Sequence, residues 1–504
     1  MTKILSIEEI QKKIKFLKSK NKKIVLCHGV FDIIHPGHIY HFNSAKKFGD
    51  ILIISVTNDE NVKKGHNRPA FNLSYRKKTL SELSVVDYVC ESNSKDAVDI
   101  IKKIKTKIYC KGPDYKNLKD DLTNKIYDEI KALKSIGGKF KTTDDPIFST
   151  SKLINTYYRS NSEQDVYLNK INKKYKKNKI AKILDQFKKY KILVIGESIL
   201  DEYTFCDALG KSGKEPVLTM KSLHTEKYLG GSLAICRHLS TFCNKVTLLS
   251  YLGEKREEEK FIKKSLEKNI SSYFLTKKNS PTIIKRRFIE NINKIKTLGL
   301  YSLNDDPLDN NTENKFYKII KNQIKKHDLV IISDYGHGLI SKKIAKLITS
   351  SKKFFTLNAQ INSSNLGHHT LDKFSKMNAL IINANELRHE FRDNVSSISK
   401  LAIKLKNKSK AKNVLVTKGK DGAILVSGKK NFECPGFANY VVDKIGAGDA
   451  MLAITSLCFM AKVDEDLTLY LGSLAGAHAV QSISNSDPVT KSSIQKVITH
   501  QLVD

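Results

Sequence analysis

The sequence lacks the features that mark disulfide-rich, zinc-clustered and membrane-spanning proteins. Its 504 residues include eight cysteines, and no two of them form a Cys-x-x-Cys pair. Scattered cysteines in apolar segments argue against a disulfide framework and against zinc, and they fit a reducing cytoplasm. The longest apolar run, Ala450 to Ala461, is well short of the roughly 20 residues that a membrane-spanning helix needs. The N-terminal segment reads as an amphipathic helix without a secretory h-region, so we expect a cytoplasmic protein with no membrane partner.

A nucleic-acid recognition motif is also missing, although the chain is strongly basic. The formal net charge is +36, from 88 lysines and arginines against 52 acidic residues. Most of the surplus is lysine spread along the whole chain, without interleaved aromatic residues. Such a surface favours anionic small molecules, and we expect no nucleic-acid partner.

Apolar strands alternate with helical segments along the chain. This alternation predicts α/β domains, each a mostly parallel sheet with helices on both faces. The length predicts two or three domains, and two is the number that we expect. We place a first domain at residues 1–158, a lysine-rich helical linker at 159–189 and a second domain at 190–504.

The segment CHGVFDIIHPGH, from Cys27 to His38, joins a buried strand to the start of a helix. Proline is well tolerated at a first helical position, and the unpaired N–H groups there favour an anion. His35 and His38 therefore flank a phosphate-sized site that Gly29 and Val30 complete. Two imidazoles that can carry charge would stabilise the charge that grows on phosphorus during a displacement.

GVFDIIHPGH resembles the signature of the nucleotidyltransferase family that includes glycerol-phosphate cytidylyltransferases and heptose-phosphate adenylyltransferases. The resemblance implies a Rossmann-like domain in which the two histidines are catalytic while a sugar or polyol phosphate attacks the α-phosphorus. The segments VKKGHNRPAFNLSYR, CKGPDY and FSTS resemble further parts of the family. An arginine that precedes the last segment in the cytidylyltransferase branch is missing, which favours ATP and leaves CTP as an alternative. The implied nucleotide-binding residues are Gly29, Val30, Phe31, Lys63, Lys64, Arg76, Asp114, Ser149, Thr150 and Ser151.

A second phosphate site is predicted near the end of the chain, in VVDKIGAGDAMLAI. The turn of Gly446, Ala447 and Gly448 lets backbone N–H groups converge on an oxygen, and the following helix directs its positive end to the same place. Asp449 could then accept a proton from a hydroxyl nucleophile that attacks a γ-phosphate.

DKIGAGDA resembles the signature of ribokinase-like sugar kinases, and the companion motifs of that family follow in order from ILVIGESILDEY to VTKGKDGAIL. The resemblance implies a kinase domain with a small β lid, ATP as a substrate and Mg²⁺ as a cofactor, and a possible homodimer through the lid. It also implies the roles of the site residues. These are sugar binding by Asp201, Gly230, Gly231, Lys285 and Arg287, ATP and anion binding by Lys418, Gly419, Gly422, Gly446, Ala447 and Gly448, catalysis by Asp449, and water-mediated Mg²⁺ binding by Asn383 and Glu386.

The kinase motifs depart from the family at three places. Ala234 stands where the heptose kinases have asparagine, Asn358 begins the segment that replaces Asp-Pro-Lys, and Lys444 and Ile445 replace small hydroxyl residues. A buried polar group that specifies a sugar hydroxyl contributes strongly to discrimination, so these departures bear on substrate identity. The Gly-Ala-Gly turn and Asp449 match the family signature, which favours an active kinase.

Together the two resemblances point to the bifunctional heptose kinases and adenylyltransferases, with the domain order swapped. They imply a bifunctional enzyme that phosphorylates a sugar and makes ADP-heptose or a related activated sugar for lipopolysaccharide or another surface polysaccharide. Two alternatives stay open. One is a CTP-dependent cytidylyltransferase for glycerol or another polyol phosphate, and the other is a second domain that is a non-catalytic sugar sensor.

Overall fold

The computed structural model describes residues 3–62, 69–115, 125–145, 162–360 and 370–502. Clustering of contacts divides the chain into two compact units, residues 1–165 with 495–504 and residues 166–494. No helix within the described ranges is long and apolar enough to cross a membrane.

The first unit is built on a five-stranded sheet whose strands are all parallel, in the order β3-β2-β1-β4-β5. Short helices alternate with the strands, and single 3-10 turns lie at Asp59–Asn61 and Pro113–Tyr115. The elements are α1 (Ile7–Ser19), β1 (Ile24–Gly29), α2 (Pro36–Lys46), β2 (Ile51–Thr57), α3 (Leu73–Ser81), β3 (Tyr88–Ser92), α4 (Val98–Ile104), β4 (Ile108–Lys111), α5 (Lys125–Ser135) and β5 (Lys139–Thr142).

The central strand β1 supplies both faces of this sheet, because successive side chains of a strand point in opposite directions. Ile24 and Leu26 join a buried cluster with residues of α1, α4 and α5. Val25 and Cys27 join a second cluster with residues of α2 and α3. The helices therefore cover both faces, as the alternating sequence pattern predicts.

The second unit contains a nine-stranded sheet in the order β10-β9-β6-β13-β14-β15-β16-β17-β18. The pairs from β10 to β16 are parallel, and the last two pairs are antiparallel. Its strands are β6 (Lys191–Gly196), β9 (Lys245–Gly253), β10 (Ile270–Lys277), β13 (Leu329–Asp334), β14 (Phe354–Ala359), β15 (Ala379–Asn383), β16 (Asn413–Thr417), β17 (Ala423–Ser427) and β18 (Lys430–Cys434).

A separate four-stranded sheet, with the order β12-β11-β7-β8, belongs to the same unit. It consists of β7 (Ser198–Lys211), β8 (Leu218–Gly231), β11 (Ile283–Glu290) and β12 (Lys296–Ser302). Every residue of β12 is exposed, which leaves Leu298 and Leu300 in contact with solvent. This small sheet corresponds to the predicted β lid, and the predicted two-domain α/β fold is confirmed.

Helices flank the nine-stranded sheet. Phe316, Ile344 and Leu401, from three different helices, share one buried cluster with the strands. The hydroxyl of Thr356 in β14 lies 2.7 Å from the hydroxyl of Ser456. Ser456 belongs to the helix Ala447–Met460, whose residues are not part of that cluster. The helices from residue 163 onward are α6 (Glu163–Lys174), α7 (Lys177–Gln186), α8 (Ser232–Ser240), α9 (Glu259–Ser265), α10 (Asn310–Lys325), α11 (Lys342–Ser350), α12 (Ala384–Phe391), α13 (Ile398–Ser409), α14 (Ala447–Met460), α15 (Glu465–Ala479) and α16 (Lys491–Gln501), with 3-10 turns at Phe187–Lys189, Leu371–Lys373 and Gly419–Asp421.

The predicted linker contains the helices α6 and α7, and α6 packs on the second unit. The Tyr167 hydroxyl donates to the backbone carbonyl of Asp466 at 2.8 Å, and the Lys170 ammonium lies 2.7 Å from the Asp466 carboxylate. Ile171, Ile180 and Leu184, which are spaced as on a helix, are fully buried. These residues therefore add to the core of the second unit, to which residues 166–494 belong.

Candidate active sites

The two predicted histidines of the first unit stand together at the start of α2. His35 is the N-cap residue, Pro36 occupies the first helical position and His38 follows in the first turn. The imidazole rings of His35 and His38 stack with 3.9 Å between their centroids. The His35 side chain makes no capping hydrogen bond, while the His38 N–H donates to the His35 carbonyl at 2.9 Å. The positive end of a helix favours an anion at this place.

The surroundings of His35 oppose protonation of its ring. Burial lowers the pKa of His35 below its ordinary value. Two imidazolium charges at 3.9 Å would also repel each other. A phosphate at the helix start would oppose both effects, because its negative charge stabilises protonated imidazole.

Gly29, Val30 and Phe31 form the loop that leads from β1 to this helix. Phe31 has a left-handed backbone, with φ of +48°, and its ring lies edge-on to His38 with 5.6 Å between centroids. A Cβ on Gly29 would approach that ring to 3.0 Å. The glycine therefore leaves room for Phe31, and Phe31 holds His38 in place.

Arg76 differs from the expected nucleotide contact, since its guanidinium is buried in the first unit. Its Nε donates to the carbonyl of Phe71 at 3.0 Å, and its Nη2 donates to the carbonyl of Thr57 at 2.8 Å. Nη1 donates to the carbonyl of Val30, and Nη2 lies 2.7 Å from the Asp59 carboxylate. Arg76 thus fixes the loop before the histidine helix, and a contact of its guanidinium with a nucleotide stays a prediction.

Replacing Arg76 by methionine is expected to destabilise the first unit by about 3 kcal/mol, because it leaves the buried carbonyls without their donors. Calorimetric or urea-induced unfolding of the full chain measures this loss. The control is Lys78→Met, which removes an exposed ion pair to Glu82 and is expected to change stability by less than about 0.5 kcal/mol. Equal effects of the two substitutions would contradict the positioning role of Arg76.

Several predicted residues of this site lie outside the described part of the chain. They are Lys63, Lys64, Ser149, Thr150 and Ser151. Asp114 lies in the 3-10 turn Pro113–Tyr115, and its side chain is also outside what the structure describes. Their roles stay predictions.

The second unit holds a cleft of about 810 Å³ that gathers most of the predicted kinase residues. Gly230 and Gly422 are absent from its lining, and the residues missed by sequence reasoning include Tyr335 and His389. Tyr335 directly follows β13. Ligands bind at the carboxyl ends of the strands in a parallel sheet, so the position of Tyr335 in the sequence could have predicted it as a site residue. The predicted residues in the lining are Asp201, Gly231, Lys285, Arg287, Asn383, Glu386, Lys418, Gly419, Gly446, Ala447, Gly448 and Asp449.

The glycine turn and the start of α14 form one end of this cleft. Gly446 is the N-cap residue with φ of +90°, and a Cβ there would lie 2.1 Å from the Asn485 side chain. A Cβ on Gly448 would meet no atom within 4 Å. The open space over Gly448 and the N–H groups of the first helical turn fit the predicted anion site.

Asp449 lies in the first turn of α14, buried and hydrogen-bonded. The Tyr335 hydroxyl donates to the Asp449 carboxylate at 2.8 Å. Burial is the main cause that raises the pKa of Asp449 to about 7, while this hydrogen bond acts in the opposite direction. A carboxylate with a pKa near neutral pH suits the predicted proton acceptor.

The predicted sugar-binding charges come together through the register of the small sheet. Strands β7 and β11 are parallel, and Asp201 is the register partner of Lys285. The Arg287 guanidinium lies 2.6 Å from the Asp201 carboxylate, and Ser484 donates to the other oxygen at 3.3 Å. Burial lowers the pKa of Lys285. The pair of cations beside one carboxylate suits a substrate with both a phosphate and hydroxyls.

Gly230 and Gly231 support this arrangement from β8. A Cβ on Gly230 would lie 2.3 Å from the Asp201 carboxylate, so this glycine permits the close approach of Asp201. Gly231 has φ of +56° at the N-cap of α8 and lines the cleft. Gly230 therefore acts through Asp201.

Asn383 and Glu386 form a capping box at the start of α12. The Asn383 N–H donates to Glu386 Oε2, and the Glu386 N–H donates to Asn383 Oδ1, each at 2.9 Å. Both residues also line the cleft. The hard oxygen donors of this pair fit Mg²⁺ bound through water, because Mg²⁺ keeps several of its waters and prefers carboxylate oxygen.

Lys418 and Gly419 line the cleft after β16, whereas Gly422 has a different place. Its φ is +83°, and a Cβ there would lie 1.9 Å from the Cys434 carbonyl. Gly422 therefore shapes the turn that carries Lys418 and does not belong to the cleft wall.

Of the residues that depart from the kinase family, some lie outside the cleft and others line it. Ala234 is fully buried in α8, and the Asn358 amide donates to the Ile381 carbonyl at 2.9 Å, so neither lines the cleft. Lys444 and Ile445 line it beside the glycine turn, and Gln360, the last residue of the segment that replaces Asp-Pro-Lys, lines it as well. Of the positions that differ, these three are therefore the ones that can contact a substrate.

Two known families match different parts of the chain, one in each unit. Residues 189–492 match the pfkB family of carbohydrate kinases, and residues 26–160 match the cytidylyltransferase-like family. The chain belongs to the pfkB family. Its pfkB domain follows a cytidylyltransferase-like domain in the sequence.

Relatives of this pfkB chain include proteins named bifunctional protein HldE. The one from Aliarcobacter butzleri is 39% identical over 141 residues, which cover 28% of this chain and 29% of that protein. The one from Campylobacter jejuni serotype O:2 is 27% identical over 301 residues, which cover 59% of this chain and 62% of that protein. The chain thus matches less than two thirds of the length of either relative.

The pfkB fold is also seen in solved structures. Phosphofructokinase-2 from Escherichia coli covers 62% of this chain and 99% of its own, with a TM-score of 0.50 and 14% sequence identity. At this identity the likeness shows the fold alone.

Proposed function

We propose that the chain is a bifunctional enzyme of nucleotide-sugar synthesis, with an ATP-dependent sugar kinase and a nucleotidyltransferase. The observation that carries this proposal is the buried Asp449 at an open helix start, in the cleft that also holds Asp201, Lys285 and Arg287. The stacked pair His35 and His38 at a second open helix start supports the other activity. The heptose-kinase resemblance of the motifs and the bifunctional relatives favour ADP-heptose or a related sugar as the product, for lipopolysaccharide or another surface polysaccharide.

In the kinase reaction, Lys285 and Arg287 bind the acceptor's phosphate, and Asp201 binds its hydroxyls. Asp449 takes the proton of the attacking hydroxyl, and the N–H groups at Gly446 to Gly448 stabilise the charge on the transferred phosphoryl group. Glu386 and Asn383 would hold Mg²⁺, which neutralises charge on the nucleotide phosphates. Lys418 and Gly419, which also line the cleft, bind ATP.

In the transfer reaction, His35 and His38 bind the triphosphate at the start of α2. As the sugar 1-phosphate attacks the α-phosphorus of ATP, protonated imidazole stabilises the charge that grows on the phosphate oxygens. Gly29 leaves room for the Phe31 ring, and this ring, edge-on to His38, orients the imidazole. No covalent intermediate is needed.

Incubation of the full chain with ATP or CTP and a panel of sugar and polyol phosphates tests the proposal, with products identified by mass. We expect ADP and a sugar bisphosphate from the kinase, and ADP-heptose or a related ADP-sugar from the transferase. A CDP-polyol product would establish the cytidylyltransferase alternative instead. Calorimetric sugar binding without ATP consumption would establish a sensor role for the second domain.

The kinase rate is expected to rise with pH through about 7, because Asp449 accepts a proton only when it is ionised and its pKa is about 7. Tyr335→Phe removes the hydrogen bond that lowers this pKa. The midpoint of the pH profile is therefore expected to move up by about one pH unit. The control is Tyr251→Phe, since the Tyr251 hydroxyl donates to the His337 carbonyl at 3.0 Å and does not contact Asp449. If the midpoint of the pH profile is unchanged in Tyr335→Phe, the conclusion that the rise of the kinase rate reflects ionisation of Asp449 is contradicted.

We also propose a homodimer through the exposed face of the small sheet, where Leu298 and Leu300 meet solvent. Sedimentation velocity of the wild type and of Leu298→Asp tests it, and a monomeric wild type would rule it out.

Nucleotide substrates and eight free thiols suit the cytoplasm, which we propose as the location.

A further inference from the structure

Cys27, His41 and Cys110 come together in the first unit although they are distant in the sequence. Cys27 and Cys110 are register partners on the parallel strands β1 and β4, so their side chains leave the same face of the sheet. The helix α2 covers that face and carries His41. One donor atom from each residue lies within 4.8 Å of the other two. Within the described ranges, no other group of three or more His, Cys, Asp or Glu residues is arranged to hold a metal ion.

A second contact engages one ring nitrogen of the histidine. His41 Nδ1 lies 3.0 Å from the hydroxyl of Thr143, and Thr143 is itself buried. With Nδ1 engaged in this way, Nε2 is the nitrogen left for a metal. A hydrogen bond to the other ring nitrogen is the usual way in which proteins fix the tautomer of a metal-ligating histidine.

The donor set and its surroundings favour a zinc ion. Zinc binds thiolate sulfur at about 2.3 Å and imidazole nitrogen at about 2.0 Å, which separates tetrahedral donor atoms by about 3.5–3.8 Å. Small movements would bring the three donors to that spacing. Two thiolates and one divalent ion sum to zero charge, so the complex is compatible with burial among the apolar side chains of Val25 and Phe42.

We propose that Cys27, His41 and Cys110 form a zinc-binding site that fastens α2 to the sheet. Binding releases the two thiol protons, and the neutral imidazole adds a nitrogen ligand, which leaves one coordination position for water or another small ligand. His41 follows His38 by one turn of the same helix. The ion would therefore hold the helix that presents the two phosphate-site histidines, and this site does not depend on the proposed reactions.

Cobalt is the probe for this site, because Co²⁺ bound by thiolate gives a charge-transfer absorption that oxygen and nitrogen ligands do not. The full-length protein is freed of metal by a chelator under reducing conditions, titrated with Co²⁺ and then competed with Zn²⁺. We expect one thiolate-bound Co²⁺ per chain that Zn²⁺ displaces, and about one zinc per chain after purification without chelator. The absence of a thiolate–cobalt band in the wild type would overturn the proposal, whatever the variants do.

Three substitutions locate the ligands. Cys27→Ala and Cys110→Ala are each expected to abolish the band. His41→Ala removes a direct ligand and is expected to weaken the affinity for Co²⁺ by more than the roughly 10- to 100-fold that the loss of an outer-shell partner costs. The matched control is Cys90→Ala, since Cys90 is an equally buried thiol of β3 that belongs to the cluster on the other face of the sheet. Circular dichroism verifies the folding of each variant. A band that survives Cys27→Ala, or a Cys27–Cys110 disulfide that forms in place of metal binding, would contradict the site.

Discussion

The substitution Asp449→Asn is expected to lower kinase turnover by about 1000-fold, while nucleotidyl transfer by the same preparation stays within twofold of the wild type. Asparagine keeps the shape of the side chain and can still accept the hydrogen bond from Tyr335. It cannot accept the proton of the attacking hydroxyl. Because the acceptor is held mainly by residues of the small sheet, we expect the loss in kcat and little change in KM. Coupled measurement of ADP release over a range of acceptor concentrations separates the two constants.

The control for this experiment is Asp421→Asn, which changes an exposed aspartate of the same unit. It is expected to leave both activities unchanged. A variant Asp449→Asn that is folded and keeps more than a tenth of the kinase turnover would exclude Asp449 as the proton acceptor. Loss of both activities in folded Asp449→Asn would exclude two independent sites.

The substitution His38→Ala is expected to have the opposite pattern, with transfer reduced by about 1000-fold and kinase turnover unchanged. It removes one of the two stacked imidazoles at the start of α2, which are 3.9 Å apart in the wild type. The remaining ring of His35 can bind the triphosphate, but the charge that develops at the α-phosphorus loses a donor. Pyrophosphate release with saturating ATP measures the change.

Kinase turnover in the same sample serves as the folding control for His38→Ala, and His224→Ala serves as the substitution control. His224 is an exposed histidine of the second unit. It is expected to leave pyrophosphate release unchanged. If His38→Ala raised the KM for ATP without lowering kcat, the histidine would bind the ground state only, and its proposed role in the transition state would be wrong.

The sequence predicted the two α/β domains and the two helix starts because these depend on local patterns. Apolar strands, the proline after His35 and the glycines before Asp449 each act on their immediate neighbours in the chain. The parallel sheets and the small lid sheet follow from the same alternation and from the family motifs. These features are confirmed by the fold and by the family matches.

The contacts that sequence reasoning missed join residues that are far apart in the chain. A helical pattern places Arg76 on α3 but does not show that its guanidinium meets the carbonyls of Val30 and Thr57. The bond from Tyr335 to Asp449 joins a strand end to a helix start and depends on how the layers pack. Such contacts require the three-dimensional arrangement, since several partners are compatible with the same local sequence.

The cleft of the second unit divides the proposed acceptor-binding and proton-accepting groups between separate layers of that unit. Lys285 and Arg287 lie on the four-stranded sheet, whereas Asp449 lies on a helix that flanks the nine-stranded one. A water molecule that enters the cleft can contact Asp449, but it has no phosphate for the two cations to hold. It is therefore not positioned by the binding energy that orients a sugar phosphate. In the proposed kinase reaction, the divided cleft thus favours phosphoryl transfer to the sugar over hydrolysis of ATP.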